Sequence, residues 1–505
     1  MGEMRVSRIG LFIPGAAGAL AVCFDEMKLM QKGVREMVLK TRGWSKSLLV
    51  TLLFVLTVLG FGVSVRAQEP KIDADVRIER LEKSLAETRA ELAAARSAGG
   101  GSARLEEVER KIEVLASEIE KMKIGDAAAP GGEEAVRGLG PAASKVYALS
   151  RGVSIGGYGE VLYQKFDSKR ESGDRSGEKD RIDLQRAVFY FGYKFDEHFV
   201  FNSEIEYEHA VAASDKEGEV EAEFAYIDWT ESRAFNLRGG LVLIPMGLIN
   251  ELHEPTVFLG SRRPEVDTVI LPSTWRELGF GAYGESGPVK YRAYFVNGLN
   301  SAGYDAEEGI REGRQEGSLA LAENWALTGR IDWTPSEGML LGGSFFTGDS
   351  AQGAKTIAGR GFGARTSVYE LHGDWKWRGL QARALWAASR ISDAAAVNEA
   401  NGYQGENGIG SRQEGWYVEA GFDVLSLRPG SRSSLIPFLR YETYDTQKRV
   451  PIGYDRNPAN DRDILTVGIN WKPIENIVIK ADWQKSGNGA RSGVDQWNVA
   501  LGYIF

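Results

Sequence analysis

The residues best suited to chemistry in this chain fall between positions 248 and 276: Glu251, His253, Glu254, Arg262, Arg263, Glu265, Asp267 and Arg276. Adjacent guanidiniums such as Arg262-Arg263 suit an anion, because each presents a fork of N–H donors. The competing role for the pair is a salt bridge to Glu265, Asp267 or a neighbouring wall. The triplet His253-Glu254-Pro255 is not a zinc motif, since no second His follows at helical spacing. Loop packing is its simpler reading. No GxSxG, P-loop or HExxH sequence occurs, and no nucleophile–base pair stands out among four scattered His. The chain is expected to be neither an enzyme nor the holder of a cofactor or metal.

Charge elsewhere is sorted by a period of two. In Phe199–Glu208, the residues Val200, Asn202, Glu204, Glu206 and Glu208 alternate with Phe199, Phe201, Ser203, Ile205 and Tyr207. Such a segment is a strand with one polar and one apolar face. Sixteen segments of this kind begin near 153, 181, 199, 219, 235, 277, 288, 322, 338, 364, 379, 412, 434, 461, 475 and 494. Each has about ten residues, enough to cross a bilayer when tilted. Short turns such as 196–198 and 285–288 follow the even segments, and long loops such as 248–276 and 298–321 follow the odd ones. Outer-membrane barrels sort their connections in this way, and a soluble sandwich has no reason to. The expected fold is all-β: a sixteen-stranded antiparallel transmembrane β-barrel over 151–505. Its even count puts both ends on the periplasmic side.

Composition agrees. The 505 residues include 61 Gly, 15 Pro, 12 Trp, 18 Tyr, 21 Phe and a single Cys. Much Gly and many aromatics suit antiparallel strands with aromatic girdles. One Cys excludes a disulfide scaffold and multi-Cys metal sites. A net charge of -9 argues against nucleic acid as a partner. A mean hydropathy of -0.27 excludes a helical membrane bundle but not a barrel, where half of each strand is polar.

The N-terminal third reads differently. Lys40, Arg42 and Lys46 precede the apolar run 48–65, and Val65-Arg66-Ala67 closes it. This is a secretory signal cleaved after Ala67, with 1–67 as signal and upstream extension. A single membrane anchor and a lipoprotein box at Cys23 are the weaker alternatives. Over 70–124, Ile78, Leu81, Leu85, Thr88, Leu92 and Ala95, then Leu105, Val108, Ile112, Leu115, Ile119 and Met122, step by three and four. That is a coiled-coil seam with charged rims, expected in the periplasm. Residues 125–150 read as a flexible linker.

Alternation assigns Arg186, Arg238, Lys290, Arg292, Arg330, Arg383 and Arg440 to the lumen, together with Glu204, Glu206, Glu221 and Glu223. The acids crowd one hairpin, so unlike charges on opposite walls would set a transverse field. Plain wall-knitting ion pairs are the alternative. The last segment places Tyr503 and Phe505 on one apolar face. A terminal aromatic there is similar to the assembly signal through which outer-membrane chains engage the barrel-assembly machinery.

Four motifs carry a family resemblance over roughly 150–505: Arg186-Ala187, the run GGLVLIPMGLINELHEP (239–255), LPSTWRELGFGAYGE (271–285) and PFLRYETYD (437–445). With them the chain resembles the phosphate-selective porin O and P family of outer-membrane porins. The resemblance implies a homotrimer in outer-membrane lipid and a third long loop folded inward. Loop 248–276 would then be the pore constriction, lined by Glu251, His253, Glu254, Arg262, Arg263 and Arg276. One departure matters. Residues 151–505 carry 39 basic and 50 acidic side chains, so phosphate selectivity is not carried over. The expected function is passive diffusion of small hydrophilic solutes or ions. The alternative is a structural barrel that anchors the coiled coil or sheathes an electron-transfer partner.

Overall fold

The structure, a computed structural model, describes residues 83–93, 108, 111, 112, 137–213, 216, 218–428 and 430–505. The signal segment and most of the coiled-coil seam lie outside the described residues. Residues 83–93 are helical, with Leu85, Thr88 and Leu92 half-buried along one stripe.

Sixteen strands follow: β1 (Gly152–Arg170), β2 (Arg181–Lys194), β3 (Phe199–Glu208), β4 (Val220–Thr230), β5 (Asn236–Leu243), β6 (Arg276–Ser286), β7 (Val289–Asn297), β8 (Trp325–Ser336), β9 (Met339–Asp349), β10 (Arg365–Trp377), β11 (Leu380–Ile391), β12 (Arg412–Phe422), β13 (Ser434–Arg449), β14 (Asp461–Ile474), β15 (Ile477–Asn488) and β16 (Val494–Ile504). Each pairs antiparallel with its sequence neighbours, and β1 pairs with β16, so the sheet closes into a barrel. Closure leaves no long free edge for another chain to pair with.

Side chains divide cleanly by face. Trp497, Val499, Leu501, Tyr503 and Phe505 are exposed on the outside, while Gln496, Asn498, Ala500 and Ile504 are buried within. The outer face carries exposed Phe189, Phe191, Phe280, Ile331, Leu371, Val467 and Ile469. Aromatics gather beside the short turns, among them Tyr193, Phe195, Phe199, Trp333, Trp375, Trp377 and Trp471. Those turns are locally determined. Asp196 accepts from the backbone N–H groups of His198 and Phe199, each at 2.8 Å, and these bonds hold its carboxyl below the usual carboxylate range.

Register shifts near strand ends leave the pattern intact, but two mid-strand bulges break the alternation. Across β3–β4 the register runs Glu204↔Phe224 and then Ile205↔Ala222, so Glu223 is the extra residue. Glu223 and Phe224 therefore both turn inward, and the face of β4 switches, which brings Tyr226 and Asp228 inside. Across β1–β2, Glu160↔Arg186 is followed by Val161↔Leu184, which leaves Gln185 as the extra residue.

The linker reading fails for its described part. Leu139, Ala142, Ala143 and Val146 are buried. The backbone N–H groups of Ala142 and Ala143 donate to Glu254 Oε1 at 2.9 and 3.1 Å. Asn202 of β3 donates to the Ala143 carbonyl at 2.9 Å, and Tyr147 donates to Asp228 of β4 at 2.6 Å. Residues 137–148 are thus packed into the barrel beside β2–β6. The small residues that look like linker composition are what the tight space requires. Gly138, at φ 86°, would place an added Cβ 2.5 Å from the Arg292 guanidinium.

Candidate functional site

The segment between β5 and β6 turns into the barrel as soon as β5 ends. Pro245-Met246-Gly247 makes the turn, with Gly247 at φ 71°. Asn250 then fixes its shape. Its side-chain amide donates to the Ile244 and Trp275 carbonyls at 2.7 and 2.9 Å, and its Oδ1 accepts from the Trp275 N–H at 2.6 Å. Both ends of the segment are so joined through one side chain.

From there the segment meets the inner wall on many sides. His253 Nε2 lies 3.1 Å from Glu204 Oε1 of β3. Glu251 pairs with Arg292 of β7 at 3.1 Å and with Arg330 of β8 at 3.9 Å. Asn470 of β14 donates to the Leu259 carbonyl at 3.0 Å. Lys480 of β15 donates to the Gly260 carbonyl at 2.9 Å and stands 3.5 Å above the Phe258 ring. Asp482 of β15 accepts from the Ser261 N–H at 2.6 Å. Glu442 of β13 accepts from the Glu265 N–H at 2.6 Å, and Arg440 reaches the Arg262 carbonyl at 3.3 Å. A second long loop braces the segment, since Arg311 donates to the Thr268 and Ser273 carbonyls at 2.6 Å each.

The sequence-derived residues fall into three groups. Glu251, His253, Glu254 and Arg276 are buried and committed to partners. Arg276 pairs with Glu221 at 2.5 Å. Burial pushes the Glu254 carboxyl up to about 7 despite the two N–H donors it accepts from. Arg262 and Arg263 are half-buried. Arg262 takes up the salt bridge that was its competing role, at 2.8 Å from Glu265, and Arg263 donates to the His253 carbonyl at 3.2 Å. Both line a cavity of about 190 Å³ with Arg186 and Arg311, opposite Glu160, Glu208 and Glu265. The lumenal arginines are mostly paired on their own strand or the next. Arg238 meets Asp228 at 2.8 Å, Arg330 meets Asp332 at 2.9 Å, Arg383 meets Asp374 at 3.0 Å, and Arg440 meets Glu442 at 3.1 Å. Arg186 stands 3.8 Å from Glu160 and 3.6 Å from Glu206. Local pairing replaces the separate walls of unlike charge, because a buried charge without a close partner is costly. Lys290 is half-buried at the end of β7, on the same face as Arg292.

Several buried charged side chains escaped the sequence reading. Glu160 and Asp228 are buried beside Arg186 and Arg238. The β4 bulge shifts the face of Asp228, while Glu160 lies in the regular inward row of β1 with Tyr158 and Leu162. His372 is buried between Glu370 at 2.6 Å and Asp332 at 2.9 Å. Its pairing depends on register across β8–β10, which one sequence does not display.

No family model matches the chain. An uncharacterized protein of Aquifex aeolicus (strain VF5) is 36% identical over 376 residues, covering 73% of this chain and 83% of its own length. Among solved structures, the outer membrane channel DcaP of Acinetobacter baumannii is 14% identical with a TM-score of 0.44, over 70% of this chain and 97% of its own. The anion-selective porin from Comamonas acidovorans is 11% identical with a TM-score of 0.44, over 70% of this chain and all of its own.

Proposed function

We propose that this chain, which belongs to one family with the Aquifex aeolicus protein, is an outer-membrane porin for passive diffusion of small hydrophilic solutes or ions. The observation that carries this reading is the division of faces in a closed barrel. Outside it is apolar with aromatics at the turn end, and inside it is charged. An apolar belt of that extent belongs in lipid. The segment 248–276 acts as the constriction, supported by its contacts with strands around the inner wall. The half-buried Arg262-Arg263 pair is the part of it that meets a passing ion. The resemblance of 239–255 and 271–285 to the phosphate-selective porins supports the same constriction. Phosphate itself is not proposed as the solute.

The finer parts of the reading follow the sequence: export by a cleaved signal, a periplasmic coiled coil, homotrimers in outer-membrane lipid, and assembly through the last strand. The test is purified chain in planar bilayers. Discrete conductance steps with a reversal potential in a salt gradient are expected. A silent barrel would overturn the porin. It would favour the structural reading, which one observation independently supports: residues 137–148 occupy part of the lumen.

A further inference from the structure

Beyond the channel, the contact between the inward segment and β3–β4 has a chemistry of its own. Glu204, Glu223 and His253 are all buried, and one ligand atom from each lies within 4.8 Å of the others. His253 Nδ1 lies 2.9 Å from the Asn250 carbonyl. A carbonyl only accepts, so Nδ1 carries a proton; the metal-binding form of the ring is the neutral one, which turns an Nε2 lone pair toward the carboxylates. That lone pair faces Glu204 Oε1 at 3.1 Å, Glu204 Oε2 at 3.2 Å and Glu223 Oε2 at 3.2 Å. A lone pair against three carboxylate oxygens is repulsive unless something positive stands among them.

The carboxylates have oxygens to spare. Glu223 Oε1 accepts from the Thr274 hydroxyl, while its Oε2 has no hydrogen-bond donor. Glu206 Oε1 is likewise buried without a donor, and one Glu206 carboxylate oxygen lies within 4.8 Å of one from Glu223 and one from Glu221. The nearest fixed cations stand back, with Arg186 at 3.6 Å from Glu206 and Arg276 at 3.9 Å from Glu223. Nitrogen and oxygen ligands sit about 2.0–2.2 Å from a small divalent ion, which separates neighbouring ligands by about 3.0–3.5 Å. The separations of His253 Nε2 from the two carboxylates, 3.1 and 3.2 Å, already match, and the carboxylate oxygens lie within 4.8 Å of each other.

We propose that Glu204, Glu223 and His253, with Glu206 in reserve, bind one divalent transition cation of the zinc or manganese kind. The ion fastens the inward segment to the β3–β4 wall. The supporting shell is in place, since Asn250 orients His253 and Thr274 orients Glu223. One imidazole among carboxylates, without thiolate, suits Zn²⁺ or Mn²⁺. The Glu223 bulge has a reason under this assignment. It turns a carboxylate inward at a position that unbroken alternation on the Phe224 face would give to the outside.

The test uses full chain folded in detergent, stripped with chelator and titrated with Zn²⁺ and then Mn²⁺ near neutral pH. Calorimetry and elemental analysis should find one ion per chain. Affinity should fall by roughly a hundredfold in Glu204→Gln/Glu223→Gln and in His253→Ala. Glu277→Gln, a buried carboxylate elsewhere, should bind as the parent does. Heat-dependent gel mobility identifies the folded variants, and His253→Gln stands in if the alanine does not fold. Stoichiometric uptake lost in the ligand variants supports the site. Absence of uptake by the parent, or uptake undiminished in the folded variants, overturns it, and a proton on His253 then balances the carboxylates. None of these readouts depends on conduction.

Discussion

Arg440 has no exposed surface, yet it carries a full charge between Glu419 at 3.5 Å and Glu442 at 3.1 Å, while its Nη atoms hold the Arg262 carbonyl. Removing one partner of such a set leaves the others buried and uncompensated. Arg440→Ala should cost about 3–5 kcal/mol, read as a lowered midpoint of equilibrium urea unfolding in lipid vesicles. Arg262 and Arg263 make a different kind of contribution. They border a cavity while also bonding to Glu265 and the His253 carbonyl, and the proposed function has their charge act on solute there. Replacing both with Glu should move the reversal potential toward cations, by about threefold or more in permeability ratio at low salt, where screening is least. The barrel should still assemble, because neither residue belongs to a strand. An unmoved potential would detach the pair from the conduction path.

At the level of elements, the segment 137–148 makes a separable prediction. It fills space beside β2–β6 and is tied there to Glu254, Asn202 and Asp228 among others. A chain lacking 137–149 should show larger single-channel steps in planar bilayers. Unchanged steps would mean that ions pass along another part of the wall. The strands themselves were legible in the sequence: every start falls within three residues of its expected position. Period-two patterning is strong when one face meets lipid and the other meets charge. Legibility ended at two kinds of place. At Glu223 a bulge changes the parity of β4, so Asp228 read as though it belonged elsewhere. At Leu139–Val146 an Ala- and Gly-rich composition serves close packing instead of flexibility. The residues of the inward segment were visible as a cluster. Their partners were not, because Arg440, Lys480 and Asp482 lie far along the chain and only barrel closure brings them near.

For the whole molecule, the seam of Leu105, Val108, Ile112, Leu115, Ile119 and Met122 predicts that the N-terminal helical region associates. Replacing Ile112 and Ile119 with Asp should lower the oligomer mass of the detergent-solubilised chain in analytical ultracentrifugation, or leave an oligomer held by barrels alone. An isolated 70–125 peptide that is helical but monomeric would remove the basis for a coiled coil. The interior has a thermal consequence. The inward segment is held to the wall by buried ion pairs and charged hydrogen bonds at Glu251, Arg330, Arg440, Glu442, Lys480 and Asp482. The penalty for stripping water from charges shrinks as temperature rises. The same segment buries Phe258, Val266, Ile270, Leu271 and Trp275, and hydrophobic attachment weakens on cooling, not on moderate warming. The loop's attachment should therefore weaken slowly on warming, and a calorimetric scan should show it released with the barrel in one late transition and not in an early one of its own.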